Sequence, residues 1–260
     1  MRVPDDWFVG FHEGLAARFW QAAGEAMLDA DYAVVSALLP PSGSVLDVPC
    51  GNGRLSRRLA EAGYDVTGID IAPGALALAP PGLRLLQGDL RALPDIGPFD
   101  AALSWGNSFG YGTPEDTVRS LEGLRRVVRP GGTLVLESGA IAESMLVRGV
   151  TGDSEHTFGA ITMRSTRRYD PVESRLEVDT EFTSNGGEAR QEARFAGRAR
   201  PEGSSSRRVQ GVERRRAAYF VHTTGEVVRM LRAAGFADVE LRGDAGPYEL
   251  GAPRMIAVAR

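Results

Sequence analysis

Three short β-type segments in the first part of the chain each end in an aspartate, and this repetition constrains the fold more than any other feature. Asp47, Asp70 and Asp89 close the three segments, and helical or turn-forming residues separate one segment from the next. Such alternation is typical of βαβ units, in which the strands of one sheet run parallel. Ligands bind at the carboxyl edge of such sheets, so the three acids are candidate binding residues.

The same pattern continues toward the end of the chain. Thr113 and Pro114 predict a helix start, and we expect this helix to run to Arg129, where residues 130–132 stop it. A capping box at residues 223–226 predicts the start of a further helix. The predicted strands are residues 44–48, 65–69, 83–87, 99–103, 133–136, 239–241 and 255–259.

Two regions depart from this alternation. Residues 1–40 are rich in alanine, leucine and aromatic residues, which predicts an N-terminal helical cap whose aromatic residues serve either as core or as a lid. Residues 151–222 carry alternating segments at 161–169, 176–182 and 217–221 between turn-rich stretches, which predict an antiparallel β insert with a polar loop at 200–206. Without an internal repeat, residues 1–260 are interpreted as a single domain.

The charged residues exclude several classes of function. All 30 basic residues are arginine, because the chain contains no lysine, which excludes a pyridoxal-phosphate Schiff base and a lysine-containing phosphate loop. The formal net charge is −4, so the positive surface of a nucleic-acid-binding protein is missing and we predict no nucleic-acid partner. Arginines 207–208 and 214–216 are interpreted as a solvated or subunit-contacting face, which leaves a homo-oligomer open.

The single cysteine and the three histidines exclude further kinds of site. Cys50 is the only cysteine, which excludes an internal disulfide and a zinc site built from cysteines. His12, His156 and His222 lack the close spacing of metal-binding histidines, so we predict no bound metal. No apolar run approaches the ~18 residues of a membrane span, and the first residues do not form a signal peptide. These observations predict a cytoplasmic protein with no membrane partner.

The turn after the first predicted strand carries the strongest binding signal. Gly51 and Gly53 lie between Asp47 and a predicted helix, where glycine permits a tight turn and a close approach of a ligand to the backbone. At the end of the second strand, Asp70 is placed to accept hydrogen bonds from both hydroxyls of a ribose. At the end of the third strand, Asp89 is placed to accept a hydrogen bond from the amine of adenine. The pattern predicts a ligand that contains adenosine.

With these residues the chain resembles the class I S-adenosylmethionine-dependent methyltransferases over nearly all of its length. The resemblance implies an α/β fold with a Rossmann-like, seven-stranded, mostly parallel sheet, an antiparallel C-terminal hairpin, and S-adenosylmethionine as the methyl donor. The donor-binding residues that it implies are Trp20, Asp47, Gly51, Gly53, Asp70, Ile71, Asp89, Leu90 and Ser104.

Two alternatives to an S-adenosylmethionine-dependent enzyme remain open. A nicotinamide-dependent oxidoreductase fits less well, because its fingerprint requires glycine or alanine where this chain has Ser56, and because it leaves Asp89 unexplained. A non-catalytic protein that binds S-adenosylmethionine is the second alternative, because a fold does not by itself imply a function.

A closer resemblance lies after the fourth predicted strand, where residues 105–111 read Trp-Gly-Asn-Ser-Phe-Gly-Tyr. This run is similar to glycine N-methyltransferase and to small-molecule methyltransferases related to it. The resemblance implies that Asn107, Tyr111 and Tyr219 border the site of the methyl acceptor. We add His222 as a candidate general base, because it is close in sequence to Tyr219 and an unperturbed imidazole has a pKa near ~6.5.

The acceptor is predicted to be a small molecule other than glycine. The resembled family has a glycine-binding arginine after the fifth strand, where residues 137–141 of this chain contain none. We therefore predict transfer of a methyl group to a nitrogen or oxygen of another small molecule, with orientation and desolvation carrying much of the rate. Because residues 151–222 leave the sheet at the carboxyl end of the fifth strand, we expect the insert to form a lid over the acceptor site.

Overall fold

The computed structural model describes residues 2–184 and 211–260, so the loop predicted at 200–206 and the arginines at 207–208 lie outside the described residues. The helices are α1 Gly14–Leu38, α2 Arg54–Glu61, α3 Pro73–Leu76, α4 Pro114–Val127, α5 Ala142–Arg148 and α6 Thr224–Ala233. Short 3-10 helices span Trp7–Val9 and Leu90–Ala92. The strands are β1 Ser44–Asp47, β2 Asp65–Asp70, β3 Arg84–Gln87, β4 Phe99–Ser104, β5 Val128–Ser138, β6 Gly152–Phe158, β7 Ile161–Asp170, β8 Arg175–Ser184, β9 Val212–Phe220, β10 Val239–Arg242 and β11 Met255–Ala259.

The larger sheet has seven strands in the order β10-β11-β5-β4-β1-β2-β3. Strands β1 to β5 run parallel to one another, whereas β11 is antiparallel to both β5 and β10. This topology confirms the predicted α/β class, the mostly parallel sheet and the antiparallel C-terminal hairpin. The strand order reverses between β1 and β4, and such a reversal leaves a crevice at the carboxyl ends of the two strands.

Apolar side chains fill both faces of this sheet, as strands that are covered by helices on both sides require. On one face, Leu46 and Leu134 belong to a buried cluster that includes residues of α4 and α6. On the other face, Val45 and Val135 belong to a cluster that includes residues of α1 and α2. These two layers fix the carboxyl ends of the central strands relative to one another.

Helix α4 ends earlier than the sequence predicts. It stops at Val127 instead of Arg129, and the next residue, Val128, already pairs with Phe99 of β4. Pro130 accounts for the difference, because proline disfavours helical backbone at the residue before it. Strand β5 therefore begins before the predicted stop signal and continues through it.

The predicted insert is a separate antiparallel sheet in the order β6-β7-β8-β9. The sequence pattern predicts β7, β8 and β9, but it misses β6 and the preceding helix α5. Strand β6 reads Gly-Asp-Ser-Glu-His-Thr-Phe, and its one large apolar residue shows no alternation. Along β7, Ile161, Met163 and Ser165 are buried whereas Arg164 and Thr166 are exposed, so the sheet has an inner and an outer face.

The N-terminal cap covers the inner face of the insert. Trp7, Phe11 and Phe19 are buried in one cluster with Met163 and Phe182 of the insert. Trp20, in contrast, is 39% exposed, although it follows Phe19 on the same helix. Trp7, Phe11 and Phe19 are thus core, whereas Trp20 stays partly exposed.

Candidate functional site

The carboxyl ends of β1, β2 and β4 border a cavity of about 480 Å³, which we call the first cavity. Pockets for small ligands typically occupy about 300 to 1,000 Å³. Eight of the nine predicted donor-binding residues line it, namely Trp20, Asp47, Gly51, Asp70, Ile71, Asp89, Leu90 and Ser104. The ninth, Gly53, is not one of the residues that the structure places in the lining.

Two glycines of the turn after β1 have left-handed backbone, but they serve different purposes. Gly51 has a φ of 58°, and a Cβ built on it meets no atom within 4 Å, so the absence of a side chain leaves open space in the cavity wall. Gly53 has a φ of 72°, and its Cβ would lie 3.0 Å from methyl carbons of Leu83 and Leu85. Gly53 therefore permits close packing at the start of α2 and lies outside the lining of the first cavity.

Asp47 is a buried acid at the end of β1. It is 2% exposed, and its Oδ2 accepts a 2.6 Å hydrogen bond from the hydroxyl of Ser56. Burial raises the pKa of Asp47 from 3.8 to about 6, against the opposing effects of Ser56 and Arg54. Ser56 stands where the nicotinamide-dependent fingerprint requires glycine or alanine. Its hydroxyl thus stabilises the ionised form of Asp47.

Asp70 connects the end of β2 to the glycine turn. Its Oδ2 accepts a hydrogen bond from the backbone N–H of Gly51 at 2.7 Å, and its Oδ1 accepts one from Ala72 at 2.8 Å. Burial raises the pKa of Asp70, and these two hydrogen bonds oppose the rise. Each carboxylate oxygen has a second acceptor position, so Asp70 can still accept from two hydroxyls of a ligand.

Asp89 lines the first cavity, but a neighbour that the sequence analysis missed already engages it. Its two oxygens accept hydrogen bonds from Nε and Nη2 of Arg91 at 2.6 to 3.0 Å, and Oδ1 also accepts from the Arg91 backbone N–H at 2.8 Å. Burial alone would raise the pKa of Asp89, but the hydrogen bonds from Arg91 lower it. A ligand amine must therefore share this carboxylate with Arg91.

Asp31, Arg54 and Arg254 are among the other charged residues that line the first cavity, and the sequence analysis singled out none of these three. Asp31 of α1 is 2% exposed and accepts hydrogen bonds from Arg54 at 2.7 Å and from Arg254 at 2.8 Å. Nη1 of Arg54 is buried and has no hydrogen-bond partner within the described part of the chain. A free guanidinium donor beside a carboxylate suits a ligand end that carries both a carboxylate and an ammonium group.

A second cavity, of about 320 Å³, lies between the inner face of the insert and the loops that follow β4 and β5. Residues of β6, β7, β8 and β9 line it, together with Gly139 and Ala140 after β5. The residues that line both cavities are Trp20, Asn107, Gly139, Tyr219 and Pro253. Two ligands, one in each cavity, would therefore meet beside these residues.

Asn107 holds the loops at this junction together. Its Oδ1 accepts hydrogen bonds from the backbone N–H groups of Gly139 at 2.8 Å and Ala140 at 3.1 Å. Its own backbone N–H donates to Glu137, a buried carboxyl whose pKa is raised by burial. The side-chain oxygen of Asn107 is thus committed to the fold, and its Nδ2 donors remain for a ligand.

Tyr111 and Tyr219 form a phenol pair next to the junction. Their ring centres are 5.2 Å apart, and Trp7 packs against both rings at 4.7 and 5.6 Å. Burial raises the pKa of both phenols, although a hydrogen bond from Tyr111 and the charge of Arg167 oppose the rise at Tyr219. Both hydroxyls therefore stay protonated near neutral pH and act as hydrogen-bonding groups, not as bases. Tyr219 lines both cavities and Tyr111 lines the first.

His222 lies outside the lining of both cavities as far as the described residues show. It is 8% exposed, its ring centre is 5.4 Å from that of Phe109, and its Nε2 has no hydrogen-bond partner in the described chain. Burial lowers its pKa. The structure thus does not bring the candidate base to the site. His12 lines the first cavity with a pKa lowered by burial to about 4, and His156 lines the second.

The sheet order, the acids at successive strand ends and the glycine turn are those that the resemblance to class I methyltransferases implies. Residues 45–132 match the family model of a methyltransferase domain. A ubiquinone biosynthesis O-methyltransferase from Xanthomonas axonopodis pv. citri is 34% identical over 143 residues, which are 48% of this chain and 57% of that protein. The chain spans about one third to just over half of the length of the curated relatives it matches.

Solved structures with the same fold cover nearly all of the chain. The sugar N-methyltransferase KedS8 from Streptoalloteichus has a TM-score of 0.67 at 19% identity, covering 95% of this chain and 94% of that one. The SAM-bound amino pentose methyltransferase CalS10 from Micromonospora echinaspora has a TM-score of 0.65 at 19% identity, covering 95% and 97%. Residues 45–132 thus match a methyltransferase domain, the chain has the fold of these methyltransferase structures, and the comparisons do not support the oxidoreductase alternative.

Residues 2–184 and 211–260 hold neither a metal-binding cluster nor a membrane-spanning helix. These residues contain no group of three or more His, Cys, Asp or Glu side chains placed to bind a metal ion. Within the same residues, no helix has the length and hydropathy needed to cross a membrane.

Proposed function

We propose that this protein is an S-adenosylmethionine-dependent methyltransferase that transfers a methyl group to a nitrogen or oxygen of a small molecule. The observation that carries the proposal is the meeting of the two cavities at Trp20, Asn107 and Tyr219. The first cavity would hold the donor, the second would hold the acceptor, and the insert would form the lid over the acceptor. The compared proteins include a ubiquinone biosynthesis O-methyltransferase, an amino pentose methyltransferase and a sugar N-methyltransferase. They support either an oxygen or a nitrogen as the acceptor atom.

The residues of the first cavity fit each part of the donor. Asp70 would accept the ribose hydroxyls, and the open space beside Gly51 lets the ligand approach the backbone. Asp31 and the free Nη1 of Arg54 would bind the ammonium and carboxylate groups of the methionine part. Asp89 and Leu90 would border the adenine.

When bound, S-adenosylmethionine supplies a methyl group on a sulfonium, which leaves as a neutral thioether. The task left to this chain is to hold the acceptor lone pair in line and to exclude water. Nδ2 of Asn107 and the hydroxyl of Tyr219 would position the acceptor, with Tyr111 supporting Tyr219. A neutral amine needs no more than this, whereas a hydroxyl acceptor needs a base, for which His156 is better placed than His222.

The proposal keeps three expectations from the sequence: a location in the cytoplasm, a small-molecule acceptor, and no nucleic-acid partner. The single, buried Cys50 and the acidic net charge support them. Association into a homo-oligomer remains an alternative. Arginines 214 to 216, interpreted as a solvated or subunit-contacting face, form ion pairs with Glu181, Glu213, Glu177 and Asp179 of the insert.

The experiment that tests the proposal is a screen of amines, phenols and alcohols with S-adenosylmethionine labelled in its methyl group. Label is expected in at least one acceptor, and Tyr219→Phe is expected to slow the transfer. Binding of S-adenosylmethionine without transfer to any acceptor would favour the non-catalytic alternative. No binding of S-adenosylmethionine at all would contradict the proposal.

A further inference from the structure

The two cavities differ in the charge of their linings. Among the described residues, the second cavity is lined by Arg148, Arg167 and His156 and by no aspartate or glutamate. The first cavity is lined by several carboxylates, which are Asp31, Asp47, Asp70, Asp89, Asp116 and Glu137. The acceptor side of the site therefore presents a positive potential without its own counter-charge.

Arg167 is the more confined of the two arginines. It follows the buried Met163 and Ser165 at steps of two residues along β7, so it lies on the same, inner face of the insert sheet. Its neighbours across the strands are Gly152 of β6 and Val178 of β8, which are small or apolar and offer the guanidinium no acceptor. Its charge acts on the phenol of Tyr219, which places it close to the junction of the cavities.

The guanidinium of Arg167 also has no partner in the described part of the chain. Its Nε is buried without a hydrogen bond, and no described carboxylate forms an ion pair with it. Its neighbours on the same strand behave differently, since Arg164 pairs with Glu155 at 2.6 Å and Arg168 pairs with Asp179 at 2.6 Å on the outer face. A buried donor that stays unpaired is unfavourable, and because Arg167 also lines the second cavity, a ligand in that cavity can supply the missing partner.

We propose that Arg167 binds an anionic group of the methyl acceptor, a carboxylate or a phosphate, inside the second cavity. This inference rests on the proposed function, because it assumes that the second cavity holds the acceptor. A guanidinium binds either anion through two parallel hydrogen bonds. The hydroxyls of Ser165 and Thr180 lie on the same face, 3.3 Å apart, where one donates to the other and the accepting hydroxyl can donate to the same group. Arg167 of the insert would thus bind the anionic group, a task for which residues 137–141 contain no arginine.

Calorimetry with small anions tests the inference without knowledge of the acceptor. Acetate, inorganic phosphate and pyrophosphate are titrated into the wild-type protein, Arg167→Gln and Arg168→Gln. Arg168 is the matched control, because it is an arginine on the same strand whose side chain is paired on the outer face. We expect Arg167→Gln to weaken the best-bound anion by about tenfold or more, because charged hydrogen bonds are lost, and Arg168→Gln to stay within about twofold. Stronger binding of acetate or of phosphate tells which anion the acceptor carries.

Two results would overturn the inference. One is that the wild-type protein binds none of the three anions, and the other is that Arg167→Gln binds them as the wild type does. Titration of S-adenosylmethionine into the same samples separates this failure from that of the proposed function. Normal donor binding without anion binding contradicts the anionic acceptor alone, whereas absent donor binding contradicts the methyltransferase proposal.

The wild-type protein provides a second measurement that does not depend on the folding of a variant. Phenylglyoxal modifies exposed guanidinium groups, and mass spectrometry locates the modified arginines. Pyrophosphate is expected to protect Arg167 and to leave Arg164 and Arg168 reactive. Equal modification of Arg167 with and without pyrophosphate and acetate would contradict the inference.

Discussion

Replacing Asp47 by asparagine is expected to stabilise the fold at high pH while weakening donor binding. Burial raises the pKa of Asp47 from 3.8 to about 6. Keeping this carboxyl ionised in the folded protein at about pH 8 therefore costs about 3 kcal/mol relative to the unfolded chain. For an acid with a raised folded-state pKa, this penalty is absent below the unfolded value, grows as the pH rises, and is complete above the folded value. At about pH 4.5 it has fallen to about 1 kcal/mol.

Urea denaturation of both proteins at these two pH values measures the effect. Asparagine keeps an oxygen that accepts from the hydroxyl of Ser56, but its buried N–H₂ group then needs hydrogen-bond partners. We therefore expect the free energy of unfolding to rise by about 1 to 3 kcal/mol near pH 8 and by less near pH 4.5. Asp100→Asn is the control with the opposite sign, because hydrogen bonds from the Ser44 backbone, Arg129 and the Ser44 hydroxyl lower the pKa of Asp100 to about 2. The reasoning is refuted if Asp47→Asn is less stable than the wild type near pH 8 while Asp100→Asn is destabilised as expected.

Three further predictions concern the phenol pair, the glycine turn and the buried thiol. Tyr219→Phe should slow single-turnover methyl transfer by about 10- to 100-fold with unchanged donor affinity. Tyr169→Phe is the control and should not slow it, because Tyr169 is in neither described cavity lining. Equal rates for the wild type and both variants would remove Tyr219 from the mechanism. Both glycines have left-handed backbone, so either alanine is strained, but only Gly53→Ala also meets Leu83 and Leu85. Gly53→Ala should therefore lower the free energy of unfolding by about 1 to 3 kcal/mol, more than Gly51→Ala does, whereas Gly51→Ala should weaken S-adenosylmethionine binding more. The opposite assignment would show that Gly53 faces the ligand. Burial raises the pKa of the Cys50 thiol, so a disulfide reagent should modify it slowly near neutral pH in the native protein and rapidly in urea, and fast native modification would contradict its burial.

The fold was predictable because its signals are local. Each central strand is a short apolar run followed by a turn, and the acids that end these runs meet at one sheet edge because parallel strands place them there. The exact limits of β5 were not predictable, since Pro130 ends the preceding helix early and the strand then passes through a proline and two glycines. Strand β6 escaped prediction because an edge strand with polar residues leaves no hydrophobic periodicity.

The site was predictable only in part, because side-chain direction depends on tertiary packing. Asp70 reaches the first cavity as expected, but Arg91, two positions after Asp89, turns back onto that carboxylate. His222 is close to Tyr219 in the sequence and yet packs against Phe109, away from both cavities. No spacing rule could pair residues such as Asp31 with Arg254, which are joined by the fold alone.

The central claim is that the first cavity binds S-adenosylmethionine through Asp70, and calorimetry tests it most directly. We predict that the wild-type protein binds S-adenosylmethionine, that Asp70→Ala weakens this binding by about 5- to 150-fold through loss of buried hydrogen bonds, and that Asp65→Ala, at the exposed start of the same strand, does not. Tight binding of NADH with no detectable binding of S-adenosylmethionine would contradict the account.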